Sequence, residues 1–270
     1  MAGLMGSRLE GFRKKRGGKQ QQQQQQQRKL LVTIDRPGLG CTPTWGEGGG
    51  TRYTRVADAV LHLVEKGLGI GDNGIEVVGW SSGGAYALAI GAQGGNGKII
   101  KRVATVASDP QWATVSWATL LSNPGHIGLF AVVKLGVPKW IIGRGALLVV
   151  ELLQGLGSLL DLEPLRLLNC NFGESMKNHG SALAVAEEIQ LERSEEWGFS
   201  LEDCCGDGVD VTIYHSRGDR LVPFAASGEL HGRIGGGKAE IKELPPGGFR
   251  LFEEGHLIME EYWDKIVEDS

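Results

Sequence analysis

Cysteine is scarce in this sequence, and its placement excludes two kinds of site. The chain of 270 residues contains four cysteines: Cys41, Cys170, Cys204 and Cys205. Their spacing matches no common metal-ligand pattern, and four cysteines in a chain of this length make no convincing disulfide framework. We therefore predict that the protein has no metal site, keeps its thiols reduced and is cytoplasmic.

Long apolar runs are also missing. The most apolar region, residues 127–160, is interrupted by charged residues and a proline: Lys134, Pro138, Lys139, Arg144 and Glu151. Because a helix that spans a bilayer needs about 20 predominantly apolar residues, we predict no membrane span. The N-terminus has no compact apolar segment followed by a small-residue cleavage site, which argues against a secretory signal.

Neither sign of charge dominates the chain. It has 28 lysines and arginines against 32 aspartates and glutamates, for a net charge of −4. This balance excludes a global basic field, so we predict no nucleic-acid partner. Residues 1–28 combine a basic cluster at 13–16 with eight glutamines at 20–27 and have little to bury. They are typical of a disordered tail, with a nuclear or nucleic-acid patch and a mitochondrial presequence as alternatives.

From residue 29 onward the sequence alternates between strand-like and helix-like segments. Short apolar or β-branched runs lie at residues 30–34, 75–79, 103–108, 209–215 and 239–244. Between the earlier runs, apolar residues recur at helical spacing, which predicts helices there. Near-continuous apolar strands are typical of a parallel sheet that is covered on both faces. We predict an α/β core made of residues 29–110 and 207–270, interrupted by a helical insertion at residues 111–206.

One strand-to-helix turn has the composition of a nucleophile elbow. Residues 75–79 form a β-rich run, an alanine-rich run begins at Ala85, and Gly79-Trp80-Ser81-Ser82-Gly83 joins them. A serine at so sharp a turn needs small neighbours, because strand and helix pass within contact distance. Since the chain has 43 glycines, G-x-S-x-G could also be an ordinary loop, and the partners of Ser81 must decide.

A serine nucleophile needs a base, and the base needs an acid that fixes its tautomer. In open α/β sheets such groups gather beyond the carboxyl ends of the strands. Ser81, Asp219 and His256 each follow a predicted strand. Asp109 also ends a strand and is the rival acid. The remaining histidines are interpreted as packing or surface residues: His62, His126, His179, His215 and His231.

Four motifs in chain order carry a family resemblance. They are the loop at residues 35–40, the elbow at 79–84, the turn at 218–223 and Gly255-His256. Over roughly residues 29–268 the chain resembles the α/β-hydrolases, whose triad runs in the order serine, acid, histidine. The resemblance implies that Ser81 is the nucleophile, Asp219 the acid and His256 the base, and that the Ser82 backbone amide contributes to the oxyanion hole.

The resemblance also implies the rest of the site. The insertion at residues 111–206 corresponds to the family's cap, and we expect four tryptophans to contact substrate: Trp80, Trp112, Trp117 and Trp140. The expected reaction is hydrolysis of a carboxylic ester or a related small-molecule acyl substrate through an acyl-enzyme, without metal or organic cofactor. The oligomeric state is left open.

The N-terminal part departs from the family pattern. The first recognisable strand, at residues 30–34, resembles the family's fourth, so about three strands and a helix have no counterpart before it. The third of those strands normally leads to the second oxyanion donor, and losing one donor typically costs roughly a hundred- to a thousandfold in turnover. A catalytically impaired or purely ligand-binding member is therefore the alternative function, and an interaction module built on the tail is a third.

Overall fold

The computed structural model describes residues 32, 34, 36–39, 42, 51–68, 74–94, 99–159, 181–206, 208–219, 221–236, 238–245 and 266. The helices are α1 Arg52–His62, α2 Gly83–Gln93, α3 Trp117–Leu121, α4 Pro124–Lys134, α5 Lys139–Leu159, α6 Ser181–Glu192 and α7 Phe224–Arg233. The strands are β1 Ile75–Trp80, β2 Ile100–Val106, β3 Asp210–Ser216 and β4 Glu240–Leu244. A π-helical turn, Leu63–Gly67, extends α1, and 3₁₀ turns lie at Glu202–Cys205 and Ile234–Gly236.

The four strands form one parallel sheet in the order β1-β2-β3-β4. Val77 pairs with Val103, Val103 with Val211, and Ile213 with Ile241. Because all four strands run the same way, their carboxyl ends meet at one edge of the sheet, where Ser81 follows β1 and Asp109 and Asp219 follow β2 and β3. The sheet order therefore positions the candidate site.

Both faces of the sheet are buried, as the apolar strands predict. On one face α1 and α2 cover Val77, Val103, Val211 and Ile213. On the other, a second cluster contains Ala104, Val106, Tyr214, Leu244 and Ile266. The predicted mostly parallel α/β sheet with helices on both faces is thus confirmed.

The predicted elements differ from the observed ones mainly at their ends. Four of the five predicted strands coincide with β1 to β4 within a few residues. The predicted strand at 30–34 lies outside the described residues except for Val32 and Ile34, which are not part of the sheet described here. Of residues 246–270, the described residue is Ile266, which is buried. The tail at 1–28 lies entirely outside the described residues.

Between β2 and β3 the described residues form helices and connecting loops, with no strand among them. Helices α3 to α6 follow one another there, and α5 packs along α6 around a small core of Ile142, Ala184, Val185 and Ile189. Among the described residues, no helix is both long and apolar enough to cross a bilayer. Of the four cysteines, Cys204 and Cys205 are free thiols, and the other two lie outside the described part of the chain.

The approach of α2 to β1 depends on Gly79. A Cβ at this position would lie 2.3 Å from the carbonyl oxygen of Gly83 and 2.8 Å from the Ala87 Cβ. The nearest atom is backbone, which cannot rotate away, so Gly79→Ala must push α2 off the strand. We expect a loss of about 3 kcal/mol in the free energy of unfolding. That loss would appear as a melting temperature lower by roughly 6–12 °C.

Gly128→Ala in α4 is the matched control for Gly79→Ala. A Cβ at Gly128 would meet nothing within 4 Å. Alanine is the better helix former there by roughly 1 kcal/mol, so the melting temperature should stay the same or rise. Equal melting temperatures for the two variants would contradict the close approach of α2 to β1.

Candidate active site

Ser81 lies at the tip of a strained turn between β1 and α2. Its φ is +52°, in the left-handed region that residues other than glycine seldom adopt. The turn is held by two backbone bonds, from the Ser81 N–H to the Val106 carbonyl at 2.9 Å and from the Gly84 N–H to the Ser81 carbonyl at 2.9 Å. A Cβ at Gly84 would overlap Ser108, so this glycine lets the first turn of α2 approach the end of β2. The turn has the geometry expected of a nucleophile elbow.

Asp109 brings a carboxylate to this turn from the end of β2. Its Oδ2 lies 3.5 Å from Ser81 Oγ and 3.4 Å from Ser82 Oγ, and its Oδ1 accepts from the Trp112 indole N–H at 3.0 Å. Ala107, at φ +46°, bends the backbone just before it. The structure therefore places the rival acid of the sequence analysis, which is buried, beside the predicted nucleophile.

Asp219 is buried in the turn that follows β3. Its Oδ1 accepts from the backbone N–H groups of Leu221 and Val222 at 2.8 and 2.9 Å, and its Oδ2 lies 3.0 Å from His215 Nε2. Because Nε2 also lies 2.9 Å from the Val222 carbonyl, it must carry a proton, and Nδ1 forms a hydrogen bond with the Ser227 hydroxyl. His215 thus holds the carboxylate of Asp219 in a fixed orientation.

The predicted base, His256, lies outside the described residues. Its role therefore stays a prediction. The Ser82 amide also stays a predicted oxyanion donor, and Ser82 is the N-cap residue of α2. Backbone N–H groups at a helix N-terminus favour negative charge, which suits that role.

The four tryptophans expected at the substrate site have different surroundings. Trp112 is buried and donates to Asp109, and half-buried Trp80 packs against the cluster that contains Ile266. Trp117 and Trp140 are 70% and 67% exposed, which places them at the surface of the helical insertion. Trp112 is thus tied to the elbow through a carboxylate that Ser81 also contacts.

His126 joins the helical insertion to both acidic loops, a role that sequence reasoning missed. Its ring stacks on Trp112 with centroids 3.7 Å apart, and its Nε2 lies 2.6 Å from the Leu221 carbonyl in the loop after Asp219. Nε2 must therefore carry the proton, and Nδ1 accepts from Arg193 Nη2 at 3.2 Å. Burial, reinforced by the Arg193 charge, lowers the pKa of His126, although Asp109 opposes the shift. Sequence gave no signal for this contact, because its partners lie 14 to 95 residues away.

Comparisons with known proteins identify the family and the fold. The sequence matches the model of the alpha/beta hydrolase family over residues 20–269. The chain belongs to that family. Among curated proteins, none matches the chain. The chain resembles several solved structures, in each case at an identity that shows the fold alone.

Three of these structures illustrate the likeness of this alpha/beta hydrolase to others. An esterase from Exiguobacterium antarcticum shares 18% identity at a TM-score of 0.56, over 88% of this chain and 78% of that one. An alpha/beta hydrolase enzyme from a Medee basin deep-sea metagenome library shares 18% identity at a TM-score of 0.57, over 98% of this chain and 84% of that one. A thermophilic esterase from Thermogutta terrifontis shares 14% identity at a TM-score of 0.52, over 88% of this chain and 76% of that one.

A buried ionic network fastens α6 of this alpha/beta hydrolase to its core. Arg36, in the loop at residues 35–40, pairs through Nη1 with Glu188 Oε2 at 2.8 Å, and both side chains are almost fully buried. Tyr86 of α2 donates to Glu188 Oε1 at 2.7 Å. Removing one partner of such a pair leaves an uncompensated buried charge, so this network fixes where α6 lies.

A second buried acid of α6, Glu192, lies beside the elbow. Its Oε2 accepts from Arg193 Nη1 at 3.0 Å, and its carboxyl group lies close enough to Asp109 to feel that charge. Burial and the neighbouring Asp109 carboxylate raise the pKa of Glu192 to about 8. At neutral pH this carboxyl group is therefore mostly protonated, so Glu192 adds little negative charge to that of Asp109 beside the elbow.

Glu192 is expected to make stability depend on pH. The folded protein holds the Glu192 proton up to about pH 8, whereas the unfolded chain releases it near 4.5. The folded state thus binds more protons between these values, so the contribution of Glu192 to the free energy of unfolding falls as the pH rises through this window. In Glu192→Gln this fall should disappear, and the variant should gain stability relative to wild type from about pH 5 to about pH 8.

Urea unfolding across that pH range measures this effect. Glu196→Gln is the matched control, because Glu196 is exposed and lies four residues further on. Its pH dependence should follow wild type. A Glu192→Gln curve parallel to that of wild type would mean that Glu192 is ionised throughout.

Proposed function

We propose that this protein is a serine hydrolase that cleaves a carboxylic ester or a related small acyl substrate. The observation that carries the proposal is Ser81, held at φ +52° at the tip of the turn between β1 and α2. A strained residue at the carboxyl edge of a parallel sheet is costly, and such strain is found mainly at functional sites. Membership of the alpha/beta hydrolase family supports hydrolysis as the general chemistry.

The proposed mechanism uses three side chains of this chain. His256 takes the proton from Ser81 as the hydroxyl oxygen attacks the acyl carbon, and Asp219 stabilises the resulting imidazolium. The Ser82 amide, at the N-terminus of α2, stabilises the oxyanion. His256 then protonates the leaving alcohol, and water attacks the acyl-enzyme with His256 again as the base. Asp219 suits its part because backbone amides and His215 already fix its carboxylate.

Trp112 is the tryptophan that we propose to line the acyl site. It is buried, packs with Leu120 and Val222, and lies between Asp109 and the ring of His126. A rigid apolar wall with one polar contact is typical of small-molecule sites. Trp80 is the second proposed wall, because it directly precedes the nucleophile. Trp117 and Trp140 are too exposed in this structure to be assigned to the wall.

One observation favours the alternative, a member that binds small molecules without turnover. The Asp109 carboxylate lies 3.5 Å from Ser81 Oγ, and a negative charge at that distance opposes the oxyanion that acyl transfer must form. A second oxyanion donor would have to outweigh that repulsion, and the residues described here suggest none.

Reaction with a fluorophosphonate probe separates these two functions. An activated serine attacks the phosphorus, so the serine hydrolase should be labelled once per chain, with the adduct on Ser81 in the peptide mass spectrum. The rate of hydrolysis of p-nitrophenyl acetate and butyrate should fall in proportion to the fraction of chains that the probe has labelled. If the protein melts cooperatively but shows neither labelling nor turnover, the hydrolase proposal is wrong and the ligand-binding alternative is favoured.

A further inference from the structure

The outer face of α5 is apolar, although it faces solvent. We call this face the outer stripe; its members are Trp140, Ile141, Leu148, Val149 and Leu152, which are 67%, 43%, 56%, 56% and 65% exposed. They lie on the outward half of the helix in two groups, 140–141 and 148–152, about 18 Å from end to end, and Arg144 and Gly145 are exposed between the groups. Contiguous apolar surface on a soluble domain marks an interaction site, whereas single exposed leucines do not.

The inner face of α5 shows that the helix cannot roll to bury this strip. Ile142 is buried against α6, and a Cβ at Gly143 would lie 2.1 Å from the Ala182 carbonyl oxygen. The backbones of α5 and α6 are therefore in direct contact along the side opposite the outer stripe. Rotation of the helix would break this contact, so the packing itself fixes the stripe outward.

Basic residues accompany the stripe. Arg144 is exposed within it. Lys139, at the start of the helix, pairs with Glu187 of α6 at 3.8 Å and stays 48% exposed, and Lys134, at the end of α4, lies over the Phe130 ring. The sequence between residues 117 and 152 holds one acid, Glu151, although the whole chain carries a net charge of −4. Apolar and tryptophan side chains mixed with arginine and lysine are the composition of helices that lie in a lipid–water interface, where the cations meet anionic headgroups.

The stripe belongs to the same helical insertion as the residues next to the site. On α4, His126 binds the Leu221 carbonyl, and Asn123 donates to the same oxygen at 2.8 Å. Leu221 lies two residues beyond Asp219. More exposed apolar side chains lie on this insertion, namely Trp117, Leu121 and Leu135. A lipid surface that bound the insertion would therefore bring the acyl chains of its lipids close to the site.

We propose that the outer stripe docks the protein onto an anionic lipid surface, from which it takes acyl substrates. A second copy of the chain is the less suitable occupant, because Arg144 would lose its water in that contact and none of the stripe residues is an acid that could pair with it. A lipid phosphate instead pairs with the guanidinium, whose stem can extend to the headgroups. The docking rests on the stripe alone, and the substrate class rests on the proposed function.

Vesicle flotation of the intact chain tests the docking. The Ser81→Ala protein is mixed with vesicles of phosphatidylcholine, alone or with about one third phosphatidylglycerol, so that binding is read without turnover. We expect flotation with the anionic vesicles, and weaker flotation with the neutral ones or at high salt. Leu148→Ser/Leu152→Ser should lower the partition coefficient at least tenfold. Arg144→Gln should lower it about fivefold, and for anionic vesicles only.

The matched control replaces two exposed leucines outside the insertion. Leu63 and Leu68 are 41% and 39% exposed, and Leu63→Ser/Leu68→Ser should float like the parent. No flotation of folded protein with either kind of vesicle would overturn the proposal. So would a lipid-free dimer in sedimentation velocity that the stripe variant abolishes, because the stripe would then be a contact between copies.

Hydrolysis separates this inference from the proposed function. With Ser81 intact, the stripe variant should cleave soluble p-nitrophenyl acetate at the parent rate but an ester embedded in anionic vesicles at least tenfold more slowly. Vesicle binding without any hydrolysis would leave the docking standing and remove the hydrolase. Equal loss of activity on both esters would contradict a docking role for the stripe.

Discussion

Ser81→Ala is expected to lower kcat for ester hydrolysis by about a million-fold and to abolish fluorophosphonate labelling. Loss of a triad serine has an effect of that size because no other group can form the acyl-enzyme. Stability should hardly change. The hydrogen bond from Ser81 Oγ to Asp109 is long, at 3.5 Å, and alanine must adopt the same positive φ that serine already adopts. Steady-state kinetics and thermal melting of the same preparation measure both.

The control for Ser81→Ala is Ser194→Ala. Ser194 lies beyond α6 and donates to the Glu196 carbonyl at 3.0 Å, so its loss should leave turnover and labelling unchanged. Full esterase activity in Ser81→Ala would show that the strained turn is not the site of attack. A large drop in melting temperature would show instead that the hydroxyl has a structural role.

The elements that the sequence predicted best are those whose signals are local. Strands β1 to β4 are short β-branched or apolar runs bounded by turn residues, and their identity needs no knowledge of distant partners. The elbow is local too, because Gly79 and Gly84 are needed within five residues of Ser81. Chain order and the rule that groups collect at the carboxyl edge were then enough to select Asp109 and Asp219.

The contacts that the sequence could not predict join distant parts of the chain. Arg36 and Glu188 are separated by 152 residues, and nothing around either one indicates the other. The sequence of α6 predicts a charged amphipathic helix, yet Glu188 and Glu192 both point inward, because Arg36, Tyr86 and Arg193 bond to them. A buried carboxylate with its partner elsewhere has the same sequence pattern as an exposed one.

The predicted histidine roles show the same limit. His215 was interpreted as a packing residue, and the structure shows a more specific role in which it orients Asp219. His126 was assigned no site role, yet it lies between Trp112 and Leu221. Both are set by tertiary contacts. His256 was selected through family resemblance and position, and it lies outside the described residues, so kinetics must test it.

Two carboxylates lie close to the proposed chemistry, and their surroundings divide their roles. The Asp219 carboxylate is oriented by fixed donors, among them two backbone amides and the Nε2–H of His215. Asp109 accepts from side-chain donors that can rotate, namely Ser81 and Ser82, and from Trp112. An acid that must hold an imidazole needs a fixed orientation, which favours Asp219. A carboxylate that accepts directly from the nucleophile holds the serine proton away from the base.

Asp219→Asn is therefore expected to lower kcat about 10⁴-fold, because an amide presents a donor to the histidine and stabilises its wrong tautomer. Asp109→Asn should change kcat by less than about tenfold, since it removes negative charge near the oxyanion as well as an acceptor for Ser81. In Asp219→Asn the amide nitrogen must also face the Nε2–H of His215, which places two donors together and lowers stability. The kcat of each variant is therefore divided by its folded fraction, which is taken from its melting curve. If Asp109→Asn shows the 10⁴-fold loss and Asp219→Asn the small one, the acid of the triad follows β2 and not β3. Full activity in both would exclude a Ser-His-Asp mechanism at this sheet edge.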